Sequence, residues 1–111
     1  MDKWIRVADA TDIPPGTKRQ VTVAGVDIGI FNVDGTLYAI GDLCTHAEAA
    51  LTEGDFYDTT VECPLHGSPF DVTTGCARGL PAMGHSGKYA VYVADGGVYV
   101  DPTPLTPRVT R

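Results

Sequence analysis

Apolar and polar positions alternate at both ends of the chain, and the middle loses the pattern. KWIRVAD (residues 3–9) alternates, which predicts a strand with Trp4 and Ile5 close to the core. IPPG (13–16) then breaks it, because proline fixes φ and removes a backbone donor. RQVTVAG and VDIGIFNV are rich in β-branched residues and meet at Gly25. The second runs through Asp34-Gly35 into TLYAIGD, a strong hairpin signal. KYAVYVADGGVYVD (88–101) predicts another hairpin about Asp95-Gly96-Gly97, with Tyr89, Tyr92 and Tyr99 as core or cross-strand packing.

No window sustains an i, i+3, i+4 apolar repeat, and thirteen glycines with eight prolines would interrupt most helices. AEAAL (47–51) is the one helical candidate, a turn or so long. The fold class expected is therefore all-β, an antiparallel β-sandwich base. A chain of 111 residues, 43% hydrophobic, supports one compact core, so a single domain is expected over residues 1–102. Residues 103–111, within the proline-rich DPTPLTPRVTR, predict an extended C-terminal tail that lies along the surface or frays.

Between about residues 42 and 84 the chain turns to loops, and all three cysteines and two of the three histidines fall there. CTHAEAAL carries Cys44 and His46; CPLHGSPF carries Cys63 and His66; sixteen residues separate the first histidine from the second cysteine. An odd cysteine count without a secretion signal argues against a disulfide scaffold and for metal binding. Two sulfur and two nitrogen donors suit tetrahedral zinc or a [2Fe-2S] cluster. Zinc fingers usually pair cysteine with cysteine and histidine with histidine, whereas here each segment holds one of each. That mixed pairing is natural when two loops must each reach both irons of a dinuclear cluster.

Fourteen acidic against eight basic side chains give a formal charge of -6, which disfavours nucleic acid and anionic membrane and leaves a basic protein partner open. With no run of about 18 apolar residues and no basic-then-apolar leader, a soluble cytoplasmic protein is expected.

Cys44-Thr45-His46 and Cys63-Pro64-Leu65-His66-Gly67 resemble the two ligand boxes of Rieske [2Fe-2S] proteins. The flanking strands, the length and Gly79-Leu80-Pro81-Ala82 are similar to the small ferredoxin components of bacterial dioxygenase systems that hydroxylate aromatic rings in aromatic hydrocarbon catabolism. The resemblance implies a Rieske fold with a loop-rich cluster-binding subdomain and one [2Fe-2S] cluster. Cys44 and Cys63 would bind the inner iron, His46 and His66 the outer one near solvent, and the loop around Pro81 would cover the cluster's flank. It also implies a function in electron transport, not catalysis: a one-electron carrier, a monomer, taking electrons from a flavin-containing ferredoxin reductase to a terminal Rieske oxygenase.

Departures from the high-potential branch of that family carry information too. Its proteins hold an extra cysteine in each box, joined as a disulfide, where this chain shows Ala49 and Leu65. Ser68 matches that branch and could donate a hydrogen bond to a bridging sulfide, but Phe70 replaces a tyrosine and donates none. A lower-potential, ferredoxin-type centre is expected. Two ferric ions, two sulfides and two thiolates sum to zero charge, so an electron enters more easily than into a four-cysteine cluster. Rieske potentials accordingly run from about -150 to +300 mV against about -400 mV for plant-type ferredoxins. Two rival readings stand beside this one: a Rieske-type small subunit of a reductase complex of the nitrite-reductase type, and a structural zinc-binding module.

Cys76 reads as a packed thiol and His85 as a surface-loop residue. Glu48, Glu53, Asp55 and Asp58, between the boxes, offer either a docking charge or a solvated acidic loop.

Overall fold

The computed structural model describes residues 3–45, 48–80 and 82–110. Among the described residues ten short strands build three antiparallel sheets: β1 (Ile5–Asp9), β2 (Lys18–Val23), β3 (Val26–Val33), β4 (Thr36–Gly41), β5 (Phe56–Tyr57), β6 (Thr60–Glu62), β7 (Pro69–Asp71), β8 (Lys88–Tyr89), β9 (Val91–Ala94) and β10 (Gly97–Val100). The sheet orders are β1-β10-β9, β2-β3-β4-β8 and β5-β6-β7. No helix among the described residues is long and apolar enough to cross a membrane.

The expected hairpins form where the turn residues permit a left-handed backbone. Asp34 and Gly35 have φ of 52° and 96°, and Asp95 and Gly96 have 51° and 76°, which lets a two-residue loop follow the twist of its strands. Tyr92 and Tyr99 face each other across β9 and β10, stacked with centroids 5.1 Å apart.

Two expectations need correction. Trp4 and Ile5 are exposed, at 36% and 41%, and the buried residue of β1 is Ala8. An irregularity between Arg6 and Ala8 shifts the register of β1 against β10, and a one-residue slip exchanges the two faces of a strand. Trp4 packs edge-on against Tyr92 at 4.7 Å instead. The helical turn near AEAAL is a 3-10 turn at Leu51–Glu53, beginning where that segment ends; Ala47 lies outside the described residues. Ala50 is extended, and the Ala49 carbonyl accepts a hydrogen bond from the Cys44 N–H, so this stretch closes a loop in place of a helix.

The β2-β3-β4-β8 sheet is a wall with a core on each side. Ile28, Ile30 and Ala39 join Ala8, Ile13, Val98 and Val100 in one apolar cluster. Phe31 and Ile40, one residue along from Ile30 and Ala39, join Leu51, Val61, Phe70, Val72 and both Cys44 and Cys63 in the other. Strand period two explains this division, and burial on both faces explains why VDIGIFNV reads as a nearly continuous apolar run. The second cluster fixes the loop-rich part onto the wall.

Candidate functional site

Both cysteine-histidine segments hang from strand ends. The first follows β4, and the second is the tip of the β6–β7 hairpin. They close in the same way: the Cys44 N–H donates to the Ala49 carbonyl at 2.9 Å, and the Cys63 N–H donates to the Ser68 carbonyl at 2.8 Å. Each bond spans five residues, so C-x-H and C-x-x-H sit in loops of equal size. The Gly67 N–H adds a bond to the Cys63 carbonyl at 2.8 Å, with Gly67 at φ 72° where a side chain would be strained.

Depth separates the donors. Cys44 and Cys63 are each 1% exposed and share the apolar cluster below the loops, whereas Pro64, Leu65, His66 and Gly67 are exposed at the hairpin tip. His46 lies outside the described residues, as does Pro81. Among the described residues no group of three or more His, Cys, Asp or Glu side chains is placed to hold a single metal ion. No disulfide joins Cys44, Cys63 or Cys76. A cavity of about 250 Å³ opens beside Cys63, lined also by Glu53, Gly54, Asp55, Glu62, Pro64 and Gly67.

A third loop leans on the second. The Arg78 N–H donates to the Pro69 carbonyl at 2.8 Å, and the Ala82 N–H donates to Ser68 Oγ at 3.1 Å. Ser68 is fully buried; accepting from Ala82 leaves its hydroxyl proton to be donated elsewhere. Phe70, also fully buried, lies in the cluster that holds the two cysteines.

Sequence reasoning passed over Asp42, which closes the base of the first loop. Its carboxylate accepts from the Thr52 N–H at 2.7 Å, the Thr52 hydroxyl at 2.6 Å and Gln20 Nε2 at 2.7 Å. Burial pushes its pKa up, and the hydrogen bonds from Thr52 and Gln20 oppose that rise. The available signal was its position next to the box, in a stretch without a basic partner.

Cys76 is half-buried and its thiol lies 3.5 Å from the Ala77 carbonyl. His85 is half-buried, not a surface-loop residue: its backbone pairs with Val109 and bridges Cys76, and its Nδ1 is buried without a partner. Glu48, Glu53, Asp55 and Asp58 are all exposed.

Compared with known families, residues 3–98 match the Rieske [2Fe-2S] domain. The chain belongs to that family. Ferredoxin CarAc of Metapseudomonas resinovorans is 39% identical over 98 residues, which cover 87% of this chain and 92% of that protein. The 3-phenylpropionate/cinnamic acid dioxygenase ferredoxin subunit of Escherichia coli strain K12 is 40% identical over 98 residues, with the same two coverages of 87% and 92%. In a solved complex of reduced oxygenase and oxidized ferredoxin in carbazole 1,9a-dioxygenase, one chain superimposes with a TM-score of 0.88 at 35% identity, covering 96% of this chain and 100% of that one.

The cofactor of a Rieske domain is one [2Fe-2S] cluster, and the residues present fit it. Two thiol side chains buried in one apolar cluster match the sulfur end of the donor set, and an exposed imidazole at a loop tip matches the nitrogen end. Thr45 Oγ1, beside Cys44, is buried with no partner, a polar atom that the bare chain leaves unsatisfied.

Proposed function

We propose that Cys44 and Cys63 bind the inner iron and His46 and His66 the outer iron of the cluster, and that the protein is a soluble cytoplasmic one-electron carrier from a flavin-containing reductase to a terminal ring-hydroxylating oxygenase. The observation that carries this is the division by depth: buried cysteines in one apolar cluster, exposed His66 at the hairpin tip. When bound, the cluster accepts and releases a single electron. The chain excludes water from the sulfur end with Leu51, Val61, Phe70 and Ala82, all buried around the cysteines. It leaves the imidazole end open, so the electron has a short route to a partner.

Such a carrier docks by that end. Leu43, Leu65, Leu80 and Met83 are 39%, 59%, 78% and 55% exposed on the three loops. These apolar side chains, with Glu48, Glu53 and Asp55 also exposed, suit brief, specific association with a partner bearing basic residues. One named relative is a ferredoxin and the other the ferredoxin subunit of a dioxygenase, which supports a carrier that catalyses no reaction of its own. Residues 1–102 act as the Rieske domain, with the cluster held between about residues 42 and 84 and residues 103–111 as its tail.

Protein purified with its cofactor is expected to be a red-brown monomer with about two irons and two acid-labile sulfides per chain. Reduced by a flavin-containing reductase, it should be reoxidised by a ring-hydroxylating oxygenase in stopped-flow mixing. Colourless protein with one zinc would overturn the cluster, and a reduced cluster inert toward every such oxygenase would overturn the route.

Phe70→Tyr tests the surroundings of the cluster. A hydroxyl added in the cysteine-bearing apolar cluster can donate to a thiolate sulfur and favour the more negative reduced state. A rise of about 40 mV is expected, the one-electron equivalent of a hydrogen bond worth about 1 kcal/mol. An unchanged or lowered potential in voltammetry would mean that the ring does not point its edge at a cysteine sulfur.

A further inference from the structure

The last residues of the chain double back onto it. After β10 the backbone returns to residues 85–88: Lys88 donates to the Thr106 carbonyl at 2.9 Å, Leu105 donates to the Lys88 carbonyl at 2.7 Å, and His85 and Val109 exchange both backbone bonds, at 2.7 and 2.9 Å. The backbone of this tail is tied down at three residues, Leu105, Thr106 and Val109. Between Thr106 and Val109 stands Arg108. Its guanidinium reaches across the fold to the first loop, Nη1 donating to the Leu43 carbonyl at 2.6 Å and Nη2 to the Cys44 carbonyl at 3.0 Å.

A planar fork that holds two successive carbonyls fixes both the position and the direction of that backbone, which a lysine's single ammonium cannot do. The Cys44 N–H is already held by Ala49, so the peptide units on both sides of the Cys44 side chain are anchored. Among the described residues the ion pairs belong to Arg6 and Arg78, so the positive charge of Arg108 is not cancelled by a carboxylate in contact with it. That charge stands one carbonyl from a cysteine, and Asp27 and Asp42 line the same cavity as Arg108 without an ion pair to it.

We propose that residues 103–110 form a strap and that Arg108 is a positioning residue of the cluster site, fixing the backbone that carries Cys44 and, through its charge, making the cluster easier to reduce. Its effects on iron release and on the potential depend on Cys44 binding the cluster, as proposed above. The fork governs how firmly the first loop closes. The charge governs the potential, because reduction adds a negative charge close to it.

Two variants separate fork from charge. Arg108→Gln removes both; Arg108→Lys keeps the charge and loses the fork. Iron release to a chelator should be about tenfold faster in both variants, the scale of losing a charge-assisted hydrogen bond at an exposed site. The midpoint potential from voltammetry should shift negative in Arg108→Gln and stay near the wild-type value in Arg108→Lys, a difference that a merely structural strap would not produce. Amide exchange over residues 43–50 should quicken in both. A wild-type potential in Arg108→Gln would overturn the electrostatic role even with a lowered melting temperature, and unchanged release and exchange would overturn the positioning role. Should the wild-type chain carry no iron–sulfur cluster, the ligand assignment would fall on that result alone. Amide exchange in Arg108→Gln would still judge the clamp, unchanged protection overturning it.

Discussion

Replacing Cys44 or Cys63 by serine is expected to give colourless protein with almost no iron, whereas Cys76→Ser keeps the full visible spectrum. The three cysteines differ in surroundings more than in sequence context. Cys44 and Cys63 are 1% exposed in one apolar cluster, and Cys76 is half-buried with its thiol near the Ala77 carbonyl. A serine at either buried site cannot supply the thiolate that holds iron at neutral pH, and it leaves a hydroxyl in apolar surroundings at a cost of about 1–3 kcal/mol if unsatisfied. Serine at position 76 has the Ala77 carbonyl within reach and loses nothing that the cofactor needs. Iron analysis and the visible spectrum of the three variants, with melting curves to show that each folds, decide the matter. Loss of the spectrum in Cys76→Ser, or its survival in Cys44→Ser, would break the ligand set.

What the sequence discloses here is local. The Asp34-Gly35 and Asp95-Gly96 hairpins were legible because a left-handed turn needs particular residues, and the two boxes because donor types at fixed spacing are rare by chance. The face of β1 was not legible, since an irregularity between Arg6 and Ala8 depends on its partner β10. Nor was the sheet to which a strand belongs. KYAVYV looks like one strand but splits at Ala90, β8 pairing with β4 in the wall and β9 with β10 in the other sheet. At the site, Cys44, Cys63 and exposed His66 stand in loops that chain pattern alone located. Asp42 and Arg108 escaped notice, because their partners lie ten to sixty-five residues away and nothing in composition marks them.

Close approach of backbone to backbone is the feature least visible in a sequence, and it sets the second large effect: Gly54→Ala should cost at least about 3 kcal/mol, the upper part of the overpacking range, and lose the cluster as well. Gly54 follows the 3-10 turn at Leu51–Glu53 with φ -89° and ψ 177°, a conformation open to any residue, so strain in its own backbone is not the reason for glycine. Contact is. A Cβ there would lie 1.6 Å from the Glu62 carbonyl oxygen and 2.8 Å from its carbon. No flexible side chain can yield, since the obstacle is the last residue of β6, whose neighbour is Cys63. The strand must move, and Cys63, the next residue, moves with it. Gly96→Ala is the control: Gly96, in the β9–β10 turn, has φ 76° with nothing within 4 Å of an added Cβ, so only the left-handed penalty of about 1–2 kcal/mol applies, in the sheet that holds neither cysteine loop. Its cluster content should equal that of the wild type, with a modestly lower melting temperature. Iron content and thermal melts of the two variants side by side test the claim, and a Gly54→Ala protein as stable and as fully loaded with iron as Gly96→Ala would show that β6 can move aside without disturbing Cys63.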